Sequence, residues 1–171
     1  MNHNLRYGLY LGLITVAFSA ALFFIDYKLV LQPGISWIPF AITIAILIIA
    51  GRDLRTQQDG YLPFKEAFLS SFIIYMIGAV IVTVYTILLY NVFATDAAEE
   101  LRKETINQTV KMLEQFGMDD QNIDKAVAEA EKTNPYGVSS QLIALGFNAL
   151  IGLVVCLIIG AIVKKNKPEF E

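Results

Sequence analysis

One cysteine and one histidine in 171 residues leave little with which to build a reactive centre. Cys156 lies inside a long apolar run and His3 at the amino terminus. Neither a disulfide, a Cys–His pair nor a His–Cys metal cluster can therefore be assembled within one chain. No glycine-rich phosphate loop is present either, so no catalytic residue, cofactor or metal site is expected. Charge is also scarce. Asp, Glu, Lys and Arg make up 17% of the chain, against about 25% in an ordinary soluble domain. The formal net charge of −3 gives no general pull on a polyanion, and no nucleic-acid partner is expected. The most informative absence is positional: no Asp, Glu, Lys, Arg or His lies well inside any of the long apolar runs. Such groups are the usual mark of ion pathways, proton relays and coupled transport.

What remains is apolar, at 56% of the residues, and it is arranged in blocks. A hydrocarbon core of about 30 Å needs about 20 apolar residues to cross. Tyr7 to Ile25, Ile35 to Gly51, Ala67 to Ala94 and Val138 to Val163 carry no charge over 19, 17, 28 and 26 residues respectively. They lack the alternating pattern of a membrane barrel, and backbone groups in lipid must be satisfied internally, so these runs predict helices. The fold class expected is all-α: a single polytopic domain with transmembrane helices over about 6–26, 35–51, 66–94 and 138–164. The first run could instead be a signal peptide, with small residues at Ala17-Phe18-Ser19-Ala20-Ala21. The apolar stretch continues to Ile25, where a mature domain should turn polar, so an anchored helix fits better.

Basic residues set the orientation. If the amino terminus is cytoplasmic, that side receives Arg6, then Arg52, Arg55 and Lys65, then Lys164, Lys165 and Lys167, while the facing short loop has only Lys28. Lys and Arg near helix ends decide orientation, and long translocated segments count for little. Both termini are expected to be cytoplasmic. The polar stretch Ala50 to Phe68 then reads as a hinge, with a tight turn at Asp59-Gly60 and interfacial aromatics at Tyr61, Phe64 and Phe68. Its acids, Asp53, Asp59 and Glu66, alternate with bases and read as solvated. Tyr27, Trp37, Tyr90 and Tyr136 would form the opposite aromatic belt.

Between the third and fourth runs, residues 95–137 hold ten acids against five bases. Thr95-Asp96 is a helix start, followed by Leu101, Thr105, Ile106, Val110, Leu113 and Phe116 at helical spacing, and Gly117 supplies a stop. Asp119 or Asp120 can cap a second helix carrying Ile123, Ala126, Val127 and Ala130, which Asn134-Pro135 ends. The expectation is an extracytoplasmic amphipathic helical hairpin over about 95–134. Its narrow apolar stripes suit packing on the bundle, the headgroups, a second copy or a partner. Asp119, Asp120 and Asp124 lack the spacing of a calcium loop.

Within the apolar runs, small residues recur on single faces: Gly8, Gly12, Thr15 and Ser19 in the first, Gly78 with Ser71 and Tyr75 in the third, and Ala149, Gly152, Cys156 and Gly160 in the fourth. In lipid, close approach through small residues supplies cohesion, so these stripes are expected to face one another. Gly8-x-x-x-Gly12 could equally serve a homodimer; internal packing is the favoured reading. Pro39, shortly after the candidate cap Ser36, should fall within the first turn of its helix, where no donor is missed. Asn148 is the best intramembrane polar candidate, with Thr83, Thr86 and Asn91 as prospective partners, and an amide there most often serves as interhelical glue.

Several stretches stand out together: Asp59-Gly60-Tyr61 with Phe64-Lys65-Glu66-Ala67-Phe68, then Tyr90-Asn91-Val92-Phe93, the run MLEQFGMDDQNIDKAVAEAEKTNP, and the ending Lys164-Lys165-Asn166-Lys167-Pro168. As a set they resemble a Bacteroidota integral membrane family known as domain of unknown function 4199. The resemblance spans nearly the whole chain. It implies a four-helix protein of the bacterial inner membrane with no assigned functional residue, found in genetic neighbourhoods with membrane glycosyltransferases. Three functions are then expected in descending order. The first is a non-enzymatic accessory or scaffold protein of the cell envelope, contacting an envelope protein through the acidic hairpin or the basic hinge. The second is a small membrane carrier, or a lipid- or glycolipid-handling protein working with a membrane glycosyltransferase, with a path lined by Ser70, Ser71, Tyr75, Thr83, Thr86 and Asn148. The third is an envelope enzyme using hairpin carboxylates.

Overall fold

The computed structural model describes residues 2–167, with only the backbone described at Pro33. Pro168, last residue of the basic carboxyl-terminal motif, lies outside the described residues. The chain is helical almost throughout: α1 His3–Asp26, a 3-10 turn Tyr27–Leu31, α2 Pro33–Gln57, α3 Phe64–Leu88 continued by a π-helical turn Leu89–Phe93, α4 Thr95–Gln115, α5 Asp120–Lys132 and α6 Val138–Val163. Four segments are long and apolar enough to cross a membrane: His3–Leu31, Gly34–Gln57, Phe64–Phe93 and Val138–Val163. This is an all-α polytopic membrane protein.

Helix α3 is the hub, with α1 and α6 packed along it and α2 touching all three. The core of the membrane bundle gathers toward one end. Buried Leu11, Leu47, Ala50, Ala67, Ile74, Cys156, Ile159 and Val163 all lie where α1 and α3 begin and α2 and α6 finish. Beyond Gly12, ahead of Leu47, past Gly78 and ahead of Gly152, no membrane-spanning residue with a described side chain is buried. The packed end also carries Arg6, Arg52, Arg55, Lys65, Lys164, Lys165 and Lys167; it is called the basic end below, and the end bearing α4 and α5 the acidic end.

A backbone clasp closes the basic end. Leu62 and Lys165 exchange two hydrogen bonds of 2.8 Å, tying the exit of α6 to the turn between α2 and α3 over the fully buried Leu62 side chain. That turn is the one the sequence predicts: Asp59 (φ 54°) and Gly60 (φ 84°) are both left-handed, and the Gly60 N–H donates to the Arg55 carbonyl at 3.0 Å. Asp tolerates this region better than most residues and Gly enters it freely.

The structure corrects three boundaries. Helix α2 runs on to Gln57, so Arg52, Asp53 and Arg55 stand on a helix and the hinge shrinks to residues 58–63. It also begins earlier, with the Gln32 carbonyl accepting from the N–H groups of Ile35 and Ser36 at 3.1 and 3.2 Å and proline at its first position. Pro39 is therefore inside the helix rather than in its first turn, and leaves the Ile35 carbonyl without its helical donor. Ser36 is no cap; its hydroxyl donates to the carbonyls of Val30 and Gln32, both at 3.1 Å. Finally, α1 starts at His3, so the histidine belongs to an ordered helix.

At the acidic end, the π-helical turn closes with the Ala94 N–H on the Leu89 carbonyl at 2.7 Å. Helix α4 buries Ala98 and Leu101 where it meets that turn and Tyr27–Leu31, and α5 packs back on α4 with Ile123 inward. Gly117 (φ 74°) supplies the predicted stop. Asp119 occupies the cap position of α5, yet its side chain makes no capping bond and accepts instead from the Asn122 amide. The far end of α4 leaves Met112, Phe116 and Met118 exposed.

Helix α4 is tied to the rest through Glu100, whose carboxylate accepts from the Tyr27 hydroxyl and lies 3.5 Å from Lys28 Nζ. The tyrosine first and the lysine second hold this carboxyl below the usual carboxylate range. A group whose folded pKa is depressed stabilises the fold above its unfolded value of about 4.3, and that contribution disappears as pH falls through the lower folded value. Acidification from pH 7 to about 3 is expected to lower the amide-exchange protection of the first turns of α4, measured against the intrinsic rate at each pH, as the Glu100 carboxylate titrates. Glu100→Gln should show the lower protection already at pH 7. Protection of that segment that is the same in both proteins and at both pH values would contradict the tie.

Candidate functional site

The glycines show how the bundle is held. A Cβ on Gly8 or Gly12 of α1 would stand 2.6 and 2.7 Å from Ile77 and Ile81 of α3, and one on Gly78 would stand 2.8 Å from Leu11. On the α6 side, a Cβ on Gly152 would strike the Tyr75 ring at 2.2 Å and one on Gly160 would come within 3.1 Å of the Phe68 backbone nitrogen. Gly51, which the sequence stripes did not include, faces Val163 at 2.8 Å. Cys156 is fully buried in this region, with its small thiol serving as packing. Thr15, Ser19 and Ala149 are only partly buried. The stripes of α1 and α6 do not meet each other: each meets α3, on faces set well apart at about 100° per residue.

Where the packing stops, a cleft of about 250 Å³ opens between the four membrane helices. Thr15 of α1, Phe40 and Thr43 of α2, Tyr75 and Val82 of α3, and Asn148 of α6 line it. Two of its polar groups turn inward on the backbone: the Tyr75 hydroxyl donates to the Asn148 carbonyl at 3.1 Å, and Thr43 Oγ1 to the Pro39 carbonyl at 2.9 Å. The Asn148 side chain is exposed and makes no hydrogen bond among the described residues. Thr83 and Thr86 are not its partners. Thr86 donates to the Val82 carbonyl of its own helix at 2.9 Å, and Asn91 Nδ2 donates to the carbonyls of Ile87 and Tyr136 at 3.0 and 2.8 Å.

A polar cluster that sequence reasoning missed joins the ends of α1 and α2. Asp53 Oδ2 accepts from Arg6 Nη2 at 2.7 Å, from the Tyr7 hydroxyl at 3.0 Å and from Gln57 Nε2 at 3.0 Å, with His3 Nδ1 3.5 Å away. The Arg6 guanidinium lies over the Tyr7 ring, 4.9 Å from its centroid, and Ser70 donates to the Asn4 side chain at 2.7 Å. The hinge reading took Asp53 as solvated. The detectable signal was the Asp53/Gln57 spacing, one helical turn. Convergence of four side chains on one carboxylate oxygen makes this a clasp between helix ends.

The basic residues expected to set topology share that end. Lys164 Nζ lies 5.8 Å from the Phe64 ring centroid, and Lys165 and Lys167 lie 5.7 and 6.0 Å from that of Tyr61. A surface hollow of about 590 Å³ there is lined by Asp59, Glu66 and Lys167 among others, with Gln58 donating to Glu66 at 2.9 Å; its charges are of mixed sign and open to solvent. Among the described residues, no three His, Cys, Asp or Glu groups gather as metal ligands would.

A family model described as "Protein of unknown function (DUF4199)" matches residues 6–165. No curated protein and no solved structure matches the chain.

The glycine contacts yield a paired test. Gly12→Leu must push Ile81 aside and is expected to cost about 1–3 kcal/mol, as overpacking does, read as a lower melting temperature in detergent. Gly146→Leu, on α6 where an added Cβ meets nothing within 4 Å, should leave melting unchanged or raise it. Equal melting of the two variants would refute the contact with Ile81.

Proposed function

The chain belongs to the DUF4199 family, and we propose, from the packing of its bundle, that it is a non-enzymatic accessory or scaffold protein of the bacterial cell envelope, holding a partner within the membrane. It sits in the inner membrane with both termini cytoplasmic. The concentration of Arg6, Arg52, Arg55, Lys65, Lys164, Lys165 and Lys167 at one end supports that orientation, since basic residues beside membrane helices are retained inside. Helices α4 and α5 then stand outside the membrane and offer an acidic surface to an envelope partner.

The carrying observation is the one-ended packing. Leu47, Leu62, Ile74, Cys156 and Val163 are fully buried and block the basic end, while the cleft lies at the open end. A closed end argues for holding rather than passage. An exposed amide at Asn148, within a membrane span, adds a hydrogen-bonding group that hydrocarbon cannot satisfy and a partner helix can. The same cleft favours a second reading, a lipid- or glycolipid-handling protein working with a membrane glycosyltransferase, because its other walls are mostly apolar and suit an acyl chain.

A photo-crosslinking residue at Phe40, in the cleft, separates the two readings. Ile49, exposed on the same helix near the basic end, is the control. The accessory reading expects one protein adduct of defined mass from position 40, absent from position 49 and lost when Ala79→Trp fills the cleft. Lipid adducts alone from position 40 would establish the second reading, and identical adducts from both positions would remove the cleft from either.

A further inference from the structure

At the acidic end, the π-helical turn, the start of α4 and the loop leading into α6 enclose a pocket of about 280 Å³ that the cleft does not reach. Tyr90, Asn91, Thr95, Asp96, Glu99 and Arg102 line it, with Asn134 at the loop. A π-helical turn is a costly interruption often found at functional sites, and this one is held in place. Asn91 is anchored to the Ile87 and Tyr136 carbonyls, and the Tyr90 and Tyr136 rings lie 4.6 Å apart.

Two of the pocket's three charges, the exposed Asp96 and Glu99, make no hydrogen bond or ion pair among the described residues. The third is only partly engaged: Arg102 has the Glu131 carbonyl, while its Nε is buried without a partner among the described residues. Leaving a charged donor unpaired in such a place is costly. A ligand that satisfies all three must present an anion and a cationic N–H donor a few bonds apart. Tyr90 and Asn91 of the pocket wall belong to the last turn of the third membrane span, which ends at Phe93, where headgroups are expected. An anionic lipid would meet repulsion from the acidic excess around it, and a simple cation would leave Arg102 unanswered.

We infer that this pocket binds the phosphoethanolamine headgroup of a zwitterionic phospholipid, with the phosphate at Arg102 and the ammonium at Asp96 and Glu99. Its volume, about nine waters at about 30 Å³ each, admits that headgroup with bridging water. Val92 and Phe93, both exposed, give the acyl chains an apolar wall to follow. The site is independent of whatever occupies the cleft.

The full chain, purified in detergent, is titrated with short-chain phosphatidylethanolamine, phosphatidylglycerol and phosphatidylcholine and with free phosphoethanolamine, and binding is read by native mass spectrometry. Phosphatidylethanolamine should bind at least about tenfold more tightly than the other two lipids, as charge-assisted hydrogen bonds allow. Glu99→Gln, which removes no described contact and should fold normally, is expected to abolish that preference, and Arg102→Gln to weaken binding of all three lipids. Free phosphoethanolamine binding as tightly as the lipid would support the pocket and identify a soluble source. Equal binding of the three lipids, or a preference that survives Glu99→Gln, would overturn the inference.

Discussion

Lipid tails are as apolar as leucine, so membrane helices gain little from apolar bulk alone and are held by contact close enough for dispersion to act. In this chain that contact is concentrated where Gly8, Gly12, Gly78, Gly152 and Gly160 let side chains or backbone of a neighbouring helix in, with α3 on one side of every pair. The arrangement makes α3 the common partner of α1 and α6, and α2 joins through Gly51 and Val163. Two polar devices reinforce the same end: the Leu62–Lys165 backbone clasp and the convergence of Arg6, Tyr7 and Gln57 on Asp53. Partly exposed ion pairs of this kind contribute modestly, so they fix register more than they supply cohesion.

The other half of the bundle follows from what that end lacks elsewhere. Past Gly78, α3 presents Ile81, Val82, Val84 and Leu88, none of them buried, and no small-residue contact draws α2 or α6 inward there. Pro39 lies inside α2 at this level, costing the helix a backbone bond. An empty apolar cleft of about 250 Å³ would be expensive by the cavity cost of about 24 cal/mol per Å³. That cost favours an occupant for the cleft in a bilayer, and the proposed function rests on this.

Much of the fold was legible in the sequence, because a span of about 20 uncharged apolar residues has few alternatives to a membrane helix. The four spans, the Asp59-Gly60 turn and the Gly117 stop all follow from local chemistry. What escaped is the extension of α2 through Arg52, Asp53 and Arg55. A charge ends a hydrophobic run, whereas helical propensity continues through Arg and Gln into the interface. That extension creates the Asp53 cluster, which depends on how α1 and α2 are placed against each other and of which only the Asp53/Gln57 spacing is visible in one segment alone. The glycine stripes were readable as packing surfaces, yet their partners were not. Small residues signal close approach without saying to which helix. The partners expected for Asn148 were not found for a related reason: depth along α6 is countable from the sequence, but rotation about its axis is not, and rotation sets its backbone carbonyl before the Tyr75 hydroxyl.

The central claim is that this bundle is closed at its basic end and open to the bilayer at its acidic end. Electron paramagnetic resonance along α3 in lipid nanodiscs tests it directly, with spin labels placed one at a time at Ala67, Ile74, Ala79 and Val82 in a protein carrying Cys156→Ala. The account predicts immobile, oxygen-shielded labels at Ala67 and Ile74 and mobile, oxygen-accessible labels at Ala79 and Val82. Uniform shielding at all four positions would mean a bundle packed along its full length, and would contradict it.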